Sequence, residues 1–231
     1  LELNGKRIII DPVLENAAPF PGIASRYSPS PLKREDIPEL DYVLITHDHY
    51  DHLEYATIRE LRNRNLNFIV PLGVGSRLKG WGVPDENITE LGWDAAFERE
   101  GLSITALKGV HYSGRNKWDR NSTLWCSYVI RNNDMNIFWS GDTGYGNHFT
   151  EIGNKYGPFD LAAIEIDGWN PGWPNTHLFP EEAVKVAKEI RAENMLPIHW
   201  AVFDLALHPW DESINSVIEF AERDSVNVIT P

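Results

Sequence analysis

Three of the chain's eight histidines and two of its aspartates stand within six consecutive residues, His47-Asp48-His49-Tyr50-Asp51-His52. Imidazole nitrogens bind zinc and neighbouring divalent metals, and carboxylates can bridge or share a pair of ions. The cluster follows an apolar run, 42–45, that is typical of a strand, and loops at strand ends commonly carry function. The pattern therefore predicts a metal site and favours a hydrolytic metalloenzyme.

The spacing of the cluster agrees with a strand that gives way to a helix. Side chains alternate across a strand, so His47 and His49 share one side if the extended geometry continues through them. A helix that begins near Asp51 would bring its first residues back toward these imidazoles. Apolar residues that fit one face of such a helix follow, namely Leu53, Ile58 and Leu61. The alternatives are a set of solvated loop histidines or one structural zinc ion.

The composition indicates one folded domain over residues 1–231. The chain is 42% hydrophobic, which allows one substantial core, and its composition shows no abrupt change along the sequence. The formal net charge of −13 opposes contact with nucleic acid and with anionic lipid surfaces. No apolar run approaches the roughly 20 residues that span a bilayer. We expect neither a nucleic-acid partner nor stable membrane insertion, and a homo-oligomer is left open.

The cysteine content favours a cytoplasmic location. Cys126 is the single cysteine, so an intramolecular disulfide framework is excluded and a reducing compartment fits, although a cysteine-poor periplasmic protein would look similar. The sequence opens at Leu1, within what reads as a strand, which suggests that an initiating segment has been removed. An exported or lipid-anchored form is therefore left open.

Strand-like and helical patterns alternate along the chain and predict an α/β layered domain. Apolar stripes predict helices over 180–190, opened by Pro180, and around 214–221, capped by Asp211. The segment 18–39 is rich in Pro and Ser, and we expect it to form a long ordered loop. The predicted strands are Arg7–Ile10, Tyr42–Ile45, Asn67–Val70, Leu102–Leu107, Thr123–Ile130, Met135–Trp139, Leu161–Ile166 and Val226–Ile229.

The pattern Thr46-His47-x-His49-x-Asp51-His52 resembles the signature of the metallo-β-lactamase superfamily, whose members are mostly two-metal hydrolases. The resemblance implies a four-layer αββα sandwich with the metals at one edge of the sheets, and an opening strand that is truncated before Leu1. Three later residues match the superfamily's remaining ligands, and each ends or follows a strand-like run: His111, Asp142 and His199.

Carried over residue by residue, the resemblance implies two divalent ions, most simply zinc, with manganese or iron as alternatives. It places His47, His49 and His111 on one ion, and Asp142 between the two ions. The second ion takes Asp51, His52 and His199. Oxygen-reducing di-iron relatives have glutamate where this chain has the second histidine of the motif, so the resemblance disfavours redox chemistry.

Longer stretches resemble the branch that contains the N-acylphosphatidylethanolamine-hydrolysing phospholipase D and its bacterial relatives. The match runs through nearly the whole chain, in segments that include 48–53, 111–115, 119–125, 141–145, 157–162, 177–183 and 198–200. We therefore favour phosphodiester hydrolysis of a small molecule that is soluble or is extracted from a lipid phase. Within this hypothesis Asp51 also orients the attacking water, and His177 binds phosphate or assists the leaving group. The alternative is that His177 is a surface histidine at the start of a helix, without a role in catalysis.

Four further residues are candidates for substrate binding. Arg115 offers a bidentate phosphate contact, although a structural ion pair fits equally. Trp169 and Trp173 stand in a Gly/Pro-rich loop and could wall a pocket, whereas buried aromatics more often belong to a core; Tyr145 belongs to the motif around Asp142.

Two other functions stay open on the sequence alone. A lactonase or another carboxylic-ester hydrolase would use the same centre, since an activated water can attack a carbonyl carbon as well as phosphorus. A non-catalytic metal-binding or scaffold protein would keep the ligands without turning substrate over.

Overall fold

The computed structural model describes residues 1–18 and 24–230, and its strands form two sheets. Of the predicted loop 18–39, residues 19–23 lie outside the described part. In the first sheet β1 is antiparallel to β2, and the remaining neighbours are parallel. Its strands, in spatial order, are β1 (Glu2–Leu3), β2 (Lys6–Ile10), β3 (Tyr42–Leu44), β4 (Asn67–Pro71) and β5 (Ile88–Leu91).

The second sheet has an antiparallel half and a parallel half. Its strands are β6 (Ala96–Arg99), β7 (Leu102–Leu107), β8 (Ser127–Arg131), β9 (Asn136–Trp139), β10 (Leu161–Glu165) and β11 (Met195–Ile198). They lie side by side from β11 back to β6. β6 to β9 pair antiparallel, with short connections except between β7 and β8, where residues 108–126 intervene. β9, β10 and β11 are parallel and are joined through helices.

Helices cover the outer faces of both sheets. They are α1 (Tyr55–Leu61), α2 (Val74–Gly80), α3 (His148–Tyr156), α4 (Pro180–Glu189) and α5 (Glu212–Asp224). One apolar cluster lies between the two sheets and includes Leu44, Ile104 and Tyr128. A second cluster joins the first sheet to α1 and α2, and a third joins the second sheet to α3, α4 and α5. Three cores separate four layers, so the expected αββα sandwich is confirmed.

The predicted helix at 180–190 shows how the sequence sets an element. Pro180 occupies its first turn, where the missing N–H costs nothing, and the Glu182 carboxylate accepts the Phe179 N–H at 3.0 Å. Ala183, Val184 and Ala187 are buried and face the sheet. The helix ends at Glu189, one residue before the predicted end.

Some predicted elements differ from those observed. Val226–Ile229 is not a strand; it forms one bridge, between Val228 and Met195 at the end of the second sheet. The strand predicted from Thr123 begins only at Ser127, because 123–126 form a connection in which Cys126 is buried. β5 and β6 were not predicted, and both are short and partly exposed.

Candidate metal centre

The candidate ligands follow strands whose carboxyl ends meet at one edge of the sandwich. His47 lies three residues beyond β3, Asp142 three beyond β9 and His199 directly after β11. Gly141 has φ +56°, and a Cβ there would lie 2.8 Å from the Cys126 carbonyl oxygen and 3.0 Å from the Thr46 Cβ. Glycine therefore lets the end of β9 close against the end of β3, which carries Asp142 to the histidines.

The first cluster consists of His47, His49, His111 and Asp142. Their candidate ligand atoms all lie within 4.8 Å of one another. The His49 Nδ1 is 2.8 Å from the His47 Nε2 and 3.3 Å from the His111 Nε2. The Asp142 Oδ2 is 3.7 Å from the Nε2 of both His47 and His111. The four atoms thus converge on one point.

The second cluster consists of Asp51, His52, Asp142 and His199, and it meets the same 4.8 Å limit. The His199 Nε2 is 3.3 Å from the Asp51 Oδ2 and 3.4 Å from the Asp142 Oδ1. The His52 Nε2 is 3.2 Å from the Asp142 Oδ2 and 3.5 Å from the Asp51 Oδ2. All seven sequence-predicted ligands are therefore brought together, in the predicted division, with Asp142 common to both clusters.

These residues fit divalent cations on two grounds. Four atoms bound tetrahedrally at about 2.0–2.1 Å lie roughly 3.3–3.4 Å apart, and the separations above bracket that value. The His52 Nε2 and the Asp142 Oδ1 are buried without a hydrogen-bond partner, as is the His199 Nδ1. Buried polar atoms are normally satisfied, so the unpaired His52 Nε2 and Asp142 Oδ1, which both face the second cluster, fit a site that binds cations.

Asp11, which the sequence did not single out as a site residue, orients two of the imidazoles. Its Oδ2 accepts the His52 Nδ1 hydrogen at 2.8 Å and the Thr46 hydroxyl at 2.7 Å. The Thr46 Oγ1 in turn lies 3.0 Å from the His47 Nδ1. Because Nδ1 of His52 and His47 face these partners, Nε2 of each is left to face a cation.

His111 is held in the same way by a backbone group. Its Nδ1 donates to the Thr176 carbonyl oxygen at 2.9 Å, which fixes the tautomer and turns Nε2 toward the first cluster. Thr176 belongs to the loop before α4, so this loop and the one after β7 are tied together at the site.

Arg115 lies behind the cluster of histidines. Its Nη1 donates to the carbonyl oxygens of Asp48 at 2.9 Å and Leu53 at 2.8 Å, and its guanidinium stacks on Tyr50. Asp48 is fully buried and accepts hydrogen bonds from Gly114 N and from an arginine side chain. The structure thus places both residues in the scaffold of the His47–His52 loop.

Burial and neighbouring charge divide the imidazoles into two kinds. Burial lowers the pKa of His111 to about 3 and the pKa of His47 well below its usual value, which keeps both neutral at pH 7. Burial opposes charge on His199 as well, but Asp142 and Asp51 outweigh it and raise the pKa of His199 to about 9. The first cluster therefore presents neutral nitrogen donors to a cation.

His177 stands beside both clusters and next to Glu165. Its Nδ1 is 3.4 Å from the Glu165 Oε1 and 4.0 Å from the Asp142 Oδ2. Burial disfavours its charged form, but Glu165 and Asp142 raise the pKa of His177 above its usual value. Glu165 is fully buried at the end of β10, where it accepts the Leu178 N–H at 3.0 Å, and sequence reasoning missed it because it reads as part of a strand.

A cavity of about 600 Å³ opens over the first cluster, and Trp173 and His177 are among its wall residues. The Trp173 indole is held in place by a hydrogen bond to the Gly168 carbonyl oxygen at 2.8 Å. A second cavity of about 350 Å³ adjoins the second cluster and is lined chiefly by apolar side chains, among them Leu14, Trp139 and Phe203. Asp51 and Asp142 reach both cavities.

Two other candidates for substrate binding lie elsewhere. The Tyr145 hydroxyl donates to the Glu189 carboxylate at 2.7 Å, and its ring packs on the core beneath α3 and α4. The Trp169 indole donates to the Ser213 hydroxyl at 3.0 Å and stacks on His208. Neither Tyr145 nor Trp169 lines the two cavities, so both act in packing between loops and helices.

The described part of the chain has no helix of the length and apolarity needed to cross a membrane.

Comparison with known proteins places this geometry in a family. A family model for the beta-lactamase superfamily domain matches residues 6–200. A Mycobacterium tuberculosis protein described as uncharacterized is 38% identical over 237 residues, which cover 100% of this chain and 63% of that protein. The N-acyl-phosphatidylethanolamine-hydrolyzing phospholipase D 1 of Caenorhabditis elegans is 36% identical over 219 residues, covering 89% of this chain and 62% of that enzyme.

The chain thus spans less than two thirds of the length of these relatives. Among solved structures, a metallo hydrolase from the archaeon Ignicoccus hospitalis matches with a TM-score of 0.74 at 21% identity, covering 100% of this chain and 89% of that chain. That likeness concerns the fold and agrees with the four layers described above. In sequence the chain is similar to an N-acyl-phosphatidylethanolamine-hydrolyzing phospholipase D. The chain belongs to the metallo-β-lactamase superfamily.

Proposed function

We propose that this protein is a metal-dependent hydrolase that holds two adjacent divalent cations and cleaves phosphodiesters. The observation that carries the proposal is the position of Asp142 between the two clusters at the floor of a cavity: its Oδ2 lies 3.7 Å from the His111 Nε2 of the first cluster and 3.2 Å from the His52 Nε2 of the second, and its Oδ1 lies 3.4 Å from the His199 Nε2 of the second. One carboxylate shared between two clusters is the arrangement that a pair of neighbouring cations requires.

The first cluster would hold one cation and the second cluster the other, with Asp142 between them. Zinc suits the histidine-rich ligand set, and manganese and iron accept the same ligands. When bound, such a pair of cations activates water at neutral pH and offsets charge on the non-bridging oxygens of a phosphodiester.

In this proposal Asp51 has a second task besides ligation. Its carboxylate lies at the junction of the two cavities, beside the His199 and His52 imidazoles. From there it accepts a hydrogen bond from the attacking water and aligns the water with phosphorus as the new P–O bond forms. Burial disfavours the charged form of Asp51, but His52 and His199 outweigh it and hold the pKa of Asp51 well below its usual value, so the proton that the water loses passes to solvent in the cavity.

His177 serves the opposite side of the reaction. Its ring lines the larger cavity, and its Nε2 lies beside Gly168, another residue of the wall. The Glu165 Oε1 faces the Nδ1 at 3.4 Å and favours the protonated ring. As the P–O bond to the leaving group breaks, His177 donates a proton to the departing oxygen, so that an alcohol leaves.

Phosphodiesters are preferred over other esters because of the C. elegans relative, whose name states hydrolysis by a phospholipase D. The apolar cavity beside the second cluster adds support, since it offers space for an apolar arm of a diester. Trp173 would form part of the wall of the larger cavity. Arg115, Tyr145 and Trp169 would support the loops and not touch the substrate, because their polar atoms are engaged by other residues.

The test is hydrolysis of bis-p-nitrophenyl phosphate and of a panel of lactones by the metal-loaded protein. We expect diester turnover that Asp51→Ala lowers by at least about 100-fold, because the change removes a ligand and the group that aligns water. The matched control is Asp134→Asn, which should keep full activity. Asp134 is an exposed residue in the connection between β8 and β9 and is not one of the candidate ligands.

Turnover of lactones without turnover of the diester would replace the proposal with a carboxylic-ester hydrolase. If neither substrate is hydrolysed although two cations are bound, the result would instead favour a metal-binding protein without catalytic activity.

A further inference from the structure

Three arginines lie near the loop 113–122, and they are used differently. Arg77 pairs with Asp48 at 2.6 Å and with Asp119 at 2.8 Å. Arg115 donates to backbone carbonyl oxygens, as described above. For Arg120 the described residues provide neither an ion pair nor a side-chain hydrogen bond, and its guanidinium instead lies over the Tyr112 ring, 4.2 Å from the centroid. Two arginines thus build the scaffold, and the third is available to a ligand.

The loop holds Arg120 in a defined place. Asn121 N donates to the Ser113 carbonyl oxygen at 2.9 Å, and the Asn121 Oδ1 accepts the Ser113 N–H at 3.2 Å. Gly114, with φ +129°, lets the chain return closely, since a Cβ there would lie 3.0 Å from the Arg120 Cα. The backbone on both sides of Arg120 is therefore fastened, which fixes the point from which its side chain reaches the cavity.

The position of Arg120 relative to the clusters follows from ring contacts. The Tyr112 ring is 4.6 Å from the His49 ring and 4.8 Å from the His111 ring, between centroids. Arg120 stacks on Tyr112, which itself contacts both imidazole rings, and it lines the same cavity as Asp51 and His111. A group that projects from the reacting centre into this cavity can therefore reach the guanidinium of Arg120.

The negative net charge of the molecule makes the positive charge of Arg120 important for binding an anionic substrate. The chain carries a formal net charge of −13, which repels anions at long range. Among the described residues that line the larger cavity, Arg120 is the one lysine or arginine, and its guanidinium, which is planar by delocalisation, can offer two N–H groups to a carboxylate or phosphate.

We propose that Arg120 determines specificity by binding a second anionic group of the substrate, on the arm that extends past Tyr112 toward solvent. The inference rests on the proposed diester hydrolysis and adds the substrate class: phosphodiesters whose one arm carries a carboxylate or a further phosphate. The bound group accepts two hydrogen bonds from N–H groups of the Arg120 guanidinium, and Tyr112 stacks on one face of that guanidinium.

The experiment uses two p-nitrophenyl phosphodiesters whose second arm ends either in a carboxylate or in the isosteric carboxamide. The metal-loaded protein should favour the carboxylate arm in kcat/KM by about tenfold, the range of a charge-assisted hydrogen bond. Arg120→Gln should bring this ratio close to one, and Arg120→Lys should keep part of it. Arg99→Gln is the control, because Arg99 stacks on Phe97 outside the cavity.

Two results would overturn the inference: no preference in the unaltered protein, or a preference that Arg120→Gln leaves intact. If neither diester is hydrolysed, the proposed function fails, and calorimetric titration of the same two compounds still decides the role of Arg120. Tighter binding of the carboxylate arm that is lost in Arg120→Gln would support it, and equal binding of both arms would refute it.

Discussion

At the scale of single residues, the seven candidate ligands and their partners differ in how far a sequence reveals them. The dense run His47–His52 is visible by its composition, and the superfamily resemblance led to His111, Asp142 and His199. Asp11 was overlooked as a site residue because a lone aspartate after a strand carries no signal of its own. Its contact with Thr46 spans 35 positions and depends on the parallel pairing of β2 and β3.

Replacing Asp11 by asparagine should weaken cation binding by about 10–100-fold, because the amide no longer accepts hydrogen bonds from both His52 and Thr46 with full strength. Competition against a chromophoric chelator measures the affinity. Asp134→Asn is the control, and equal affinities in Asp11→Asn and the unaltered protein would show that Asp11 does not orient the ligands.

Arg115, at the same scale, shows where residue type misleads. An arginine beside a metal motif is a natural candidate for phosphate binding, and only the folded loop reveals that its N–H groups are taken by the carbonyl oxygens of Asp48 and Leu53. Arg120 carries the same charge five positions later and is left without such partners among the described residues.

At the scale of elements, buried strands and two-faced helices were predictable, and exposed ones were not. β3 and β4 are apolar runs that are almost wholly buried, so their pattern is clear. β6 carries Glu98 and Arg99 on an exposed edge, where alternation is weak. Val226–Ile229 has strand composition but lies beside the last strand with a single bridge, which no local pattern distinguishes from full pairing.

Helix α3 provides a prediction about acid stability through its first residue, His148. Burial lowers the pKa of His148 to about 4, below the ordinary value of 6.5 that applies to the unfolded chain. As pH falls from 6.5 toward 4, the unfolded state binds this proton before the folded state does, so stability is lost over that window and is unaffected above it.

In His148→Gln the free energy of unfolding should therefore decrease less steeply as pH falls from 6.5 to 4. The change in slope corresponds to at most about one proton bound on unfolding. Urea titrations at several pH values measure this slope for both proteins. Parallel curves for the two proteins would show that His148 titrates alike in the folded and unfolded states.

At the scale of the whole molecule, the αββα sandwich brings together groups that are remote in sequence. His199 approaches Asp51 across 148 positions because the parallel strands of both sheets end at one edge. The layers could be predicted from the resemblance, whereas the meeting of these ends at interatomic distances of 3–4 Å could not be calculated from strand patterns. The site therefore depends on the packing of both sheets.

A whole-molecule consequence is that cations should stabilise the fold. At a free concentration of 100 times Kd, a ligand that binds only the folded state adds about 2.7 kcal/mol, and each kcal/mol raises Tm by about 2–4 °C at this size. Calorimetry should thus show Tm about 5–10 °C higher with zinc than after chelation. Asp142→Asn should lose most of this difference, and an equal Tm with and without zinc in the unaltered protein would argue against a built site.

The binding of two adjacent cations can be observed directly in an anomalous difference map from crystals of the metal-loaded protein, recorded above and below the absorption edge of the added metal. We expect two peaks roughly 3.5–4 Å apart beside the Asp142 carboxylate, one of them against His47, His49 and His111. A single peak, or peaks away from Asp142, would contradict it.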